Sequence, residues 1–272
     1  MYGRIQWVHV KGDWFDDYRM AQADGFRNAT HVALGSTSLS KAGFALLVPN
    51  ENLEHLWLSA PAIDGDWAGH FPAISSLRLL GVIGLLPPFS VVRVDLRFPN
   101  LKHLYLLDCR VDGGGLKQVA SLPMLEHFCL QRSEIEEADF VHLAGHSRLK
   151  ILELGESSVG DAAMSHLARC PNLAMLLLHD TRVSDQGMEA LAKGRALRWL
   201  DLTRTSVTTA GVQALAELPG LYRLVLADTS VTEDVVPVLL GMPALESVDL
   251  DGTAVSREER ERLKHELELR SP

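Results

Sequence analysis

Four histidines fall on one register of this chain: His31 and His55, then His103 and His127, each pair 24 residues apart. Imidazole is a common zinc ligand and the side chain that titrates nearest neutrality, so such a row suggests metal binding or a response to pH. A zinc site needs three or four converging ligands, whereas this row supplies pairs separated by Leu79. Metal-binding or enzymatic use of these histidines is therefore a minor alternative, and neither a metal nor a cofactor is expected. His142 and His146 have helical ligand spacing but lack the Glu of a metalloprotease motif, and read as surface residues. Gly155-Glu-Ser157-Ser-Val fails the nucleophile-elbow pattern, and Gly113-Gly-Gly115 lacks the Lys and Ser/Thr of a phosphate loop. Cys109, Cys129 and Cys170 form no Cys-x-x-Cys pair, which argues against a disulfide framework and for a reducing compartment. Cys109 and Cys170 read as buried and inert; Cys129 reads as accessible on a strand face. The expectation is a protein that is not an enzyme.

What positions these residues is a repeat. The phrase Leu-x-x-Leu-x-Leu restarts at 101, 125, 149, 173, 197, 221 and 245, always 24 residues on, and such a period belongs to stacked units that cannot bury a core singly. Counting back in the same register reaches Leu77, Leu53, Ala29 and Ile5. About eleven units thus run from residue 5 to 256, and the whole chain, 1–272, is expected to be one domain. Numbering each unit from its first apolar residue as offset 0, the residues at 0, 3 and 5 point into the stack from a short strand, while those at 2 and 4 point outward. Offset 8 carries small groups: Thr37, Cys109, Ser133, Ser157, Thr181, Thr205, Thr229 and Thr253. These would satisfy turn backbone that is otherwise buried unpaired. Offset 10 is apolar again, from Ile63 to Val255, and the rest of each later unit reads as a helix. Ser184, Thr208 and Thr232 stand at N-cap positions, and Pro171, Pro219 and Pro243 would stop the helices. Pro87-Pro88 predicts an irregular back over 83–98, and Ser256-Arg-Glu-Glu259 opens a C-terminal capping helix over 257–269.

The pattern Leu-x-x-Leu-x-Leu-x-x-Thr-x-Val-Thr/Ser-x-x-Gly-x-x-x-Leu-Ala-x-x-Pro, carried by 197–219 and, with Arg195 at the proline position, by 173–195, resembles leucine-rich repeats with helical backs. It is similar to ribonuclease-inhibitor-like repeats of a 24-residue, bacterial type. The resemblance implies an α/β solenoid, a curved horseshoe with parallel strands on the concave face and helices on the convex back. Protein binding is the commonest task it implies. This chain departs from the family at offset 8, where a hydroxyl stands in place of Asn.

If the outward columns line the concave face, they are the candidate surface for a partner. They include His31, His55, Trp57, His103, Tyr105 and His127 in one half, and Glu153, Met175, Trp199, Asp201 and Asp249 in the other. Trp57, Tyr105 and Trp199 would be anchors, since large aromatics dominate interface energetics. The acids would complement a basic partner. A net charge of −9 argues against nucleic acid and an anionic membrane, both of which select for Lys and Arg. The apolar stretch from Ile74 to Val92 is broken by Arg78 and Pro87-Pro88, so it is not read as a membrane span. The N-terminus lacks a signal peptide's basic and apolar regions, so a cytoplasmic location is expected, with a monomer favoured. The sharpest reading is a scaffold that inhibits a basic enzyme, as an immunity-type protein would. The alternative is a substrate-selecting adaptor or secreted effector.

Overall fold

The computed structural model describes residues 7–36, 38–47, 49–59, 74–84, 98–111 and 113–270. Ile5, Thr37, Ile63 and most of the expected irregular back at 83–98 lie outside them. Two compact units divide at Glu134 and Ile135. In the first, strands β1 (Trp7–Lys11), β2 (His31–Gly35), β3 (His55–Ser59), β4 (Leu79–Ile83) and β5 (His103–Leu107) pair in parallel, each with the next. After the two-residue strand β6 (Arg110–Val111), β7 (His127–Gln131) continues the ladder by pairing with β5. The two-residue β8 (Glu134–Ile135) stands at the division. In the second unit β9 (Ile151–Glu153), β10 (Met175–Leu177), β11 (Trp199–Asp201), β12 (Arg223–Val225) and β13 (Ser247–Asp249) pair likewise. Every pairing joins residues 24 apart, as in His31 with His55 and Met175 with Trp199. This is the leucine-rich-repeat solenoid fold.

The sequence period dictates that register because only a shift by whole repeats keeps every leucine inside. Leu101, Leu104 and Leu106 are fully buried, as are Leu149, Leu152 and Leu154 in the second unit. Each such side chain contributes about 1.5–3 kcal/mol through burial. A bend follows each strand. Offset 7 holds a left-handed backbone at Ser36, Asp108, Arg132, Glu156, Asp180, Arg204 and Asp228, and at Gly12, Gly84 and Gly252. For a residue with a Cβ this costs roughly 1–2 kcal/mol. The cost is met by the ladder itself, because the strained residue's N–H donates to the strand end of the next repeat. Glu156 donates to His179 C=O at 2.8 Å, Asp180 to Thr203 C=O at 2.9 Å and Asp228 to Asp251 C=O at 2.7 Å.

The hydroxyl column then closes the bend from inside. Thr181, Thr205, Thr229 and Thr253 each donate through Oγ1 to the leucine carbonyl three residues back, at 2.6, 2.7, 2.6 and 2.6 Å. Ser157 does the same to Leu154 at 2.5 Å, and Ser133 donates to Gln131 at 2.8 Å. Asn would reach farther, but here the acceptor is local and a short side chain suffices.

The backs carry α1 (Asp17–Gln22) and α2 (Lys41–Ala45), then α3 (Gly113–Ala120), α4 (Asp161–Leu167), α5 (Asp185–Leu191), α6 (Thr209–Leu215) and α7 (Val235–Gly241). The C-terminal helix α8 (Arg257–Glu268) starts at the expected cap, with Ser256 Oγ accepting from Glu259 N–H at 3.4 Å. Four details differ from the sequence expectation. The back at Glu137–His142 is a 3-10 helix. Thr232 is not an N-cap: α7 starts later, at Val235, which leaves Pro237 in the first turn where its missing N–H does no harm. Helix α5 ends at the same offset as α4 and α6 although Arg195 replaces their proline, so proline does not set the stop. Ser184 gives its hydroxyl and N–H to the preceding repeat's Asp161 rather than capping its own helix, at 2.5 and 2.7 Å. Thr208 binds Asp185 the same way, at 2.7 and 2.8 Å, which makes the helix starts a second inter-repeat ladder. Among the described residues no helix is long and apolar enough to cross a membrane.

Replacing Thr205 by Val, which keeps the shape but removes the donor to Leu202, is expected to destabilise the protein by about 1 kcal/mol in urea unfolding. Ser36→Gly, which relieves a left-handed bend, should instead stabilise it by up to about 1 kcal/mol.

Candidate functional site

The outward columns carry side chains that stack along the ladder because strand pairing brings equal offsets within about 5 Å of one another. In the first unit they form a run of rings. Trp7 stacks on His31 with centroids 4.3 Å apart, and His31 meets His55 edge-on at 4.2 Å. Trp57 does not stand free. Its indole lies across Gly81, where a Cβ would overlap it, and reaches the Tyr105 ring at 5.2 Å. Tyr105 in turn meets His127 at 4.9 Å, with its hydroxyl 3.2 Å from Nδ1, and His127 faces His103 at 5.8 Å. The rings are therefore held in fixed positions before any partner arrives.

This packing explains the chemistry of the imidazoles. Burial, followed by the neighbouring His31, lowers the pKa of His55 below the ordinary 6.5; Glu54 opposes the shift, while His103 and Arg78 add to it. Burial and His127 lower that of His103, with Glu126 opposing and Lys102 reinforcing. The histidines remain pairs, and among the described residues no group of three or more metal-ligating side chains converges. Cys129 corrects the sequence reading: it is only 2% exposed, a small thiol beside its larger ladder neighbour Tyr105, whose ring leans toward His127. Cys109 and Cys170 are buried as expected, and burial raises the Cys170 pKa.

In the second unit Met175 and Trp199 are ladder partners, and the Arg223 guanidinium lies 4.3 Å above the Trp199 ring. The indole Nε1–H is buried there with no hydrogen-bond partner. Glu153, Asp201 and Asp249 do not converge, since Leu177 and Val225 intervene on the strands between them. Asp201 Oδ1 accepts from Thr203 N–H at 2.9 Å and from its hydroxyl at 2.6 Å. Asp249 accepts from Asp251 N–H at 2.9 Å. Both acids thus shape the bend. The acids beside them are also engaged: Asp180 binds Arg204 at 2.6 Å, Asp228 lies 3.9 Å from Arg204, and Asp251 pairs with Arg260. The Arg204 hydrogen bond holds the Asp180 carboxyl below its usual range.

Two residues on this face escaped the sequence-based selection. Trp7 is 66% exposed, the most accessible ring of the first column, and Arg223 brings a cation into a half read as acidic. The signal for both was their place at offset 2.

No protein-family model matches the sequence, and comparison with curated proteins finds no relative. Among solved structures the fold is similar to a leucine-rich-repeat chain in the crystal structure of the mouse RP105/MD-1 complex, with a TM-score of 0.58 and 18% identity. The match covers 93% of this chain and 43% of that one. At that identity the likeness defines the class of fold.

The lowered pKa values give a signed prediction. With folded-state values below 6.5, the unfolded chain takes up protons first as pH falls, so stability is whole above about pH 6.5 and is lost as pH drops through the folded values of His55 and His103. Thermal unfolding followed from pH 7.5 to 5 should show this loss, and His55→Gln with His103→Gln should flatten it.

Proposed function

We propose that this protein binds a protein partner on the outward face of its strand ladder, without catalysis of its own. The observation that carries this reading is Trp199. Its predecessors in the same column, Ile151 and Met175, cover the ladder without a polar atom, whereas Trp199 buries an unpaired N–H, a cost of about 1–3 kcal/mol. A residue that burdens folding on an outward face is best explained by what it contacts there. Trp57 and Tyr105 support the same reading as pre-formed aromatic surface, with less to lose in ordering on binding. The similar fold in the RP105/MD-1 structure comes from a protein complex, which is consistent with such a role.

The finer reading is an inhibitor or immunity-type protein of a basic enzyme, acting in the cytoplasm. It rests on the net charge of −9 and on Glu153, Asp201 and Asp249 facing outward. Affinity capture from native extract with wild-type protein and with Trp199→Met separates binding from folding. Trp199→Met should be at least as stable as wild type, because it removes an unpaired donor, yet retain about tenfold less partner or lower. Unchanged capture by that variant would contradict the proposal. A captured partner that is acidic would overturn the basic-enzyme reading alone.

A further inference from the structure

One loop of the second unit carries an arginine where its neighbours carry proline. Helices α4, α6 and α7 are followed by Cys170-Pro171-Asn172, Leu218-Pro219-Gly220 and Met242-Pro243-Ala244, but α5 is followed by Gly194-Arg195-Ala196. Asn172 Nδ2 donates to Ser147 C=O at 2.6 Å and so stitches its loop to the preceding one. Asn100 makes the same stitch to Ser75 in the first unit, at 2.8 Å. Ala196 occupies the Asn172 position one repeat on and has no amide to donate. Gly194 still packs tightly, since a Cβ there would stand 2.9 Å from Ala168 O. Beyond that contact a groove of about 590 Å³ opens between the two loops.

Lys193, Arg195 and Arg198 line this groove, and no carboxylate does. Arg169, exposed, follows the lining residue Ala168 in sequence. The acids nearest in sequence, Glu189 on α5 and Asp201 on β11, do not line it. Gathering cations this way opposes the trend of a chain with net charge −9 and costs mutual repulsion, which an anionic ligand would relieve.

We propose that this groove is a second binding site, taking a short acidic peptide segment whose consecutive carboxylates meet Lys193, Arg195 and Arg198. An acidic protein segment suits it better than nucleic acid, because the cations form one short ridge on a negative surface rather than a track for many phosphates. Gly220 and Ala244 lack the Asn stitch as well, so what sets this loop apart from those after α6 and α7 is Arg195, a cation in the proline position that lines the groove.

The test is fluorescence anisotropy of a labelled hexaglutamate peptide with the full chain. Saturable binding is expected at ~25 mM salt, weakening about tenfold or more at ~300 mM as screening shortens the reach of the charges. Lys193→Ala/Arg195→Ala/Arg198→Ala should weaken binding about tenfold or more. Ala196→Asn is the decisive variant: it keeps every cation, restores a donor toward Pro171 C=O and narrows the groove. It should weaken binding comparably while melting no lower than wild type, and it stands as the test should the triple variant fail to fold. Absence of saturable binding, or an Ala196→Asn variant that binds as well as wild type, would overturn the site. Tighter binding of a uridine 20-mer than of the peptide would overturn the choice of ligand.

Discussion

Each repeat is bound to the next through its backbone, and that coupling continues past the strand into a strained bend. The left-handed residue at offset 7 donates its N–H to the following repeat, as Glu156 does to His179, and the hydroxyl at offset 8 then fills the carbonyl behind it. The first bond is not available to a repeat alone, because its acceptor belongs to the neighbour. The strain is thus tolerated only within the stack, as expected of units that fold by nearest-neighbour contact. The outward side chains inherit their spacing from this coupling. Ring contacts such as His31 with His55 follow from register, without any special packing device.

The apolar phrase was enough to read the strands and which side chains face out, since burial at offsets 0, 3 and 5 repeats without exception from Leu101 to Leu154, while their parallel direction was implied by the resemblance to leucine-rich repeats. The bends were far less legible. Their left-handed position holds Ser, Asp, Arg and Glu as well as Gly, so composition does not mark it, and only the shared register of Gly12, Gly84 and Gly252 hinted at it. The roles of the acids were also hidden. Asp201 and Asp249 look like surface charges in a column, but their partners are two residues along and are set by the bend, while Asp161 and Asp185 serve the next helix start. The burial of Cys129 and the reach of Trp57 over Gly81 depended on ring orientations that a column of letters does not contain.

Once these internal uses are assigned, the outward face sorts into residues the fold explains and residues it does not. Trp57 covers Gly81 and serves the fold as well as any partner. Trp199 has an unpaired buried donor beneath Arg223, and the loop after α5 has Arg195 where the loops after α4, α6 and α7 have proline. Both are departures from the best repeat, and departures that cost stability are where function is sought in a chain otherwise built from one rule.

Hydroxyl-radical footprinting of the protein alone and with its captured partner tests the central claim most directly, because it reads side-chain access across the whole surface at once. The strand-face account predicts that Trp199, with Arg223 and Met175 around it, loses reactivity on binding, while Tyr18 and Val141, both well exposed and off the ladder, keep theirs. Protection of Tyr18 or Val141 with Trp199 unchanged would contradict it.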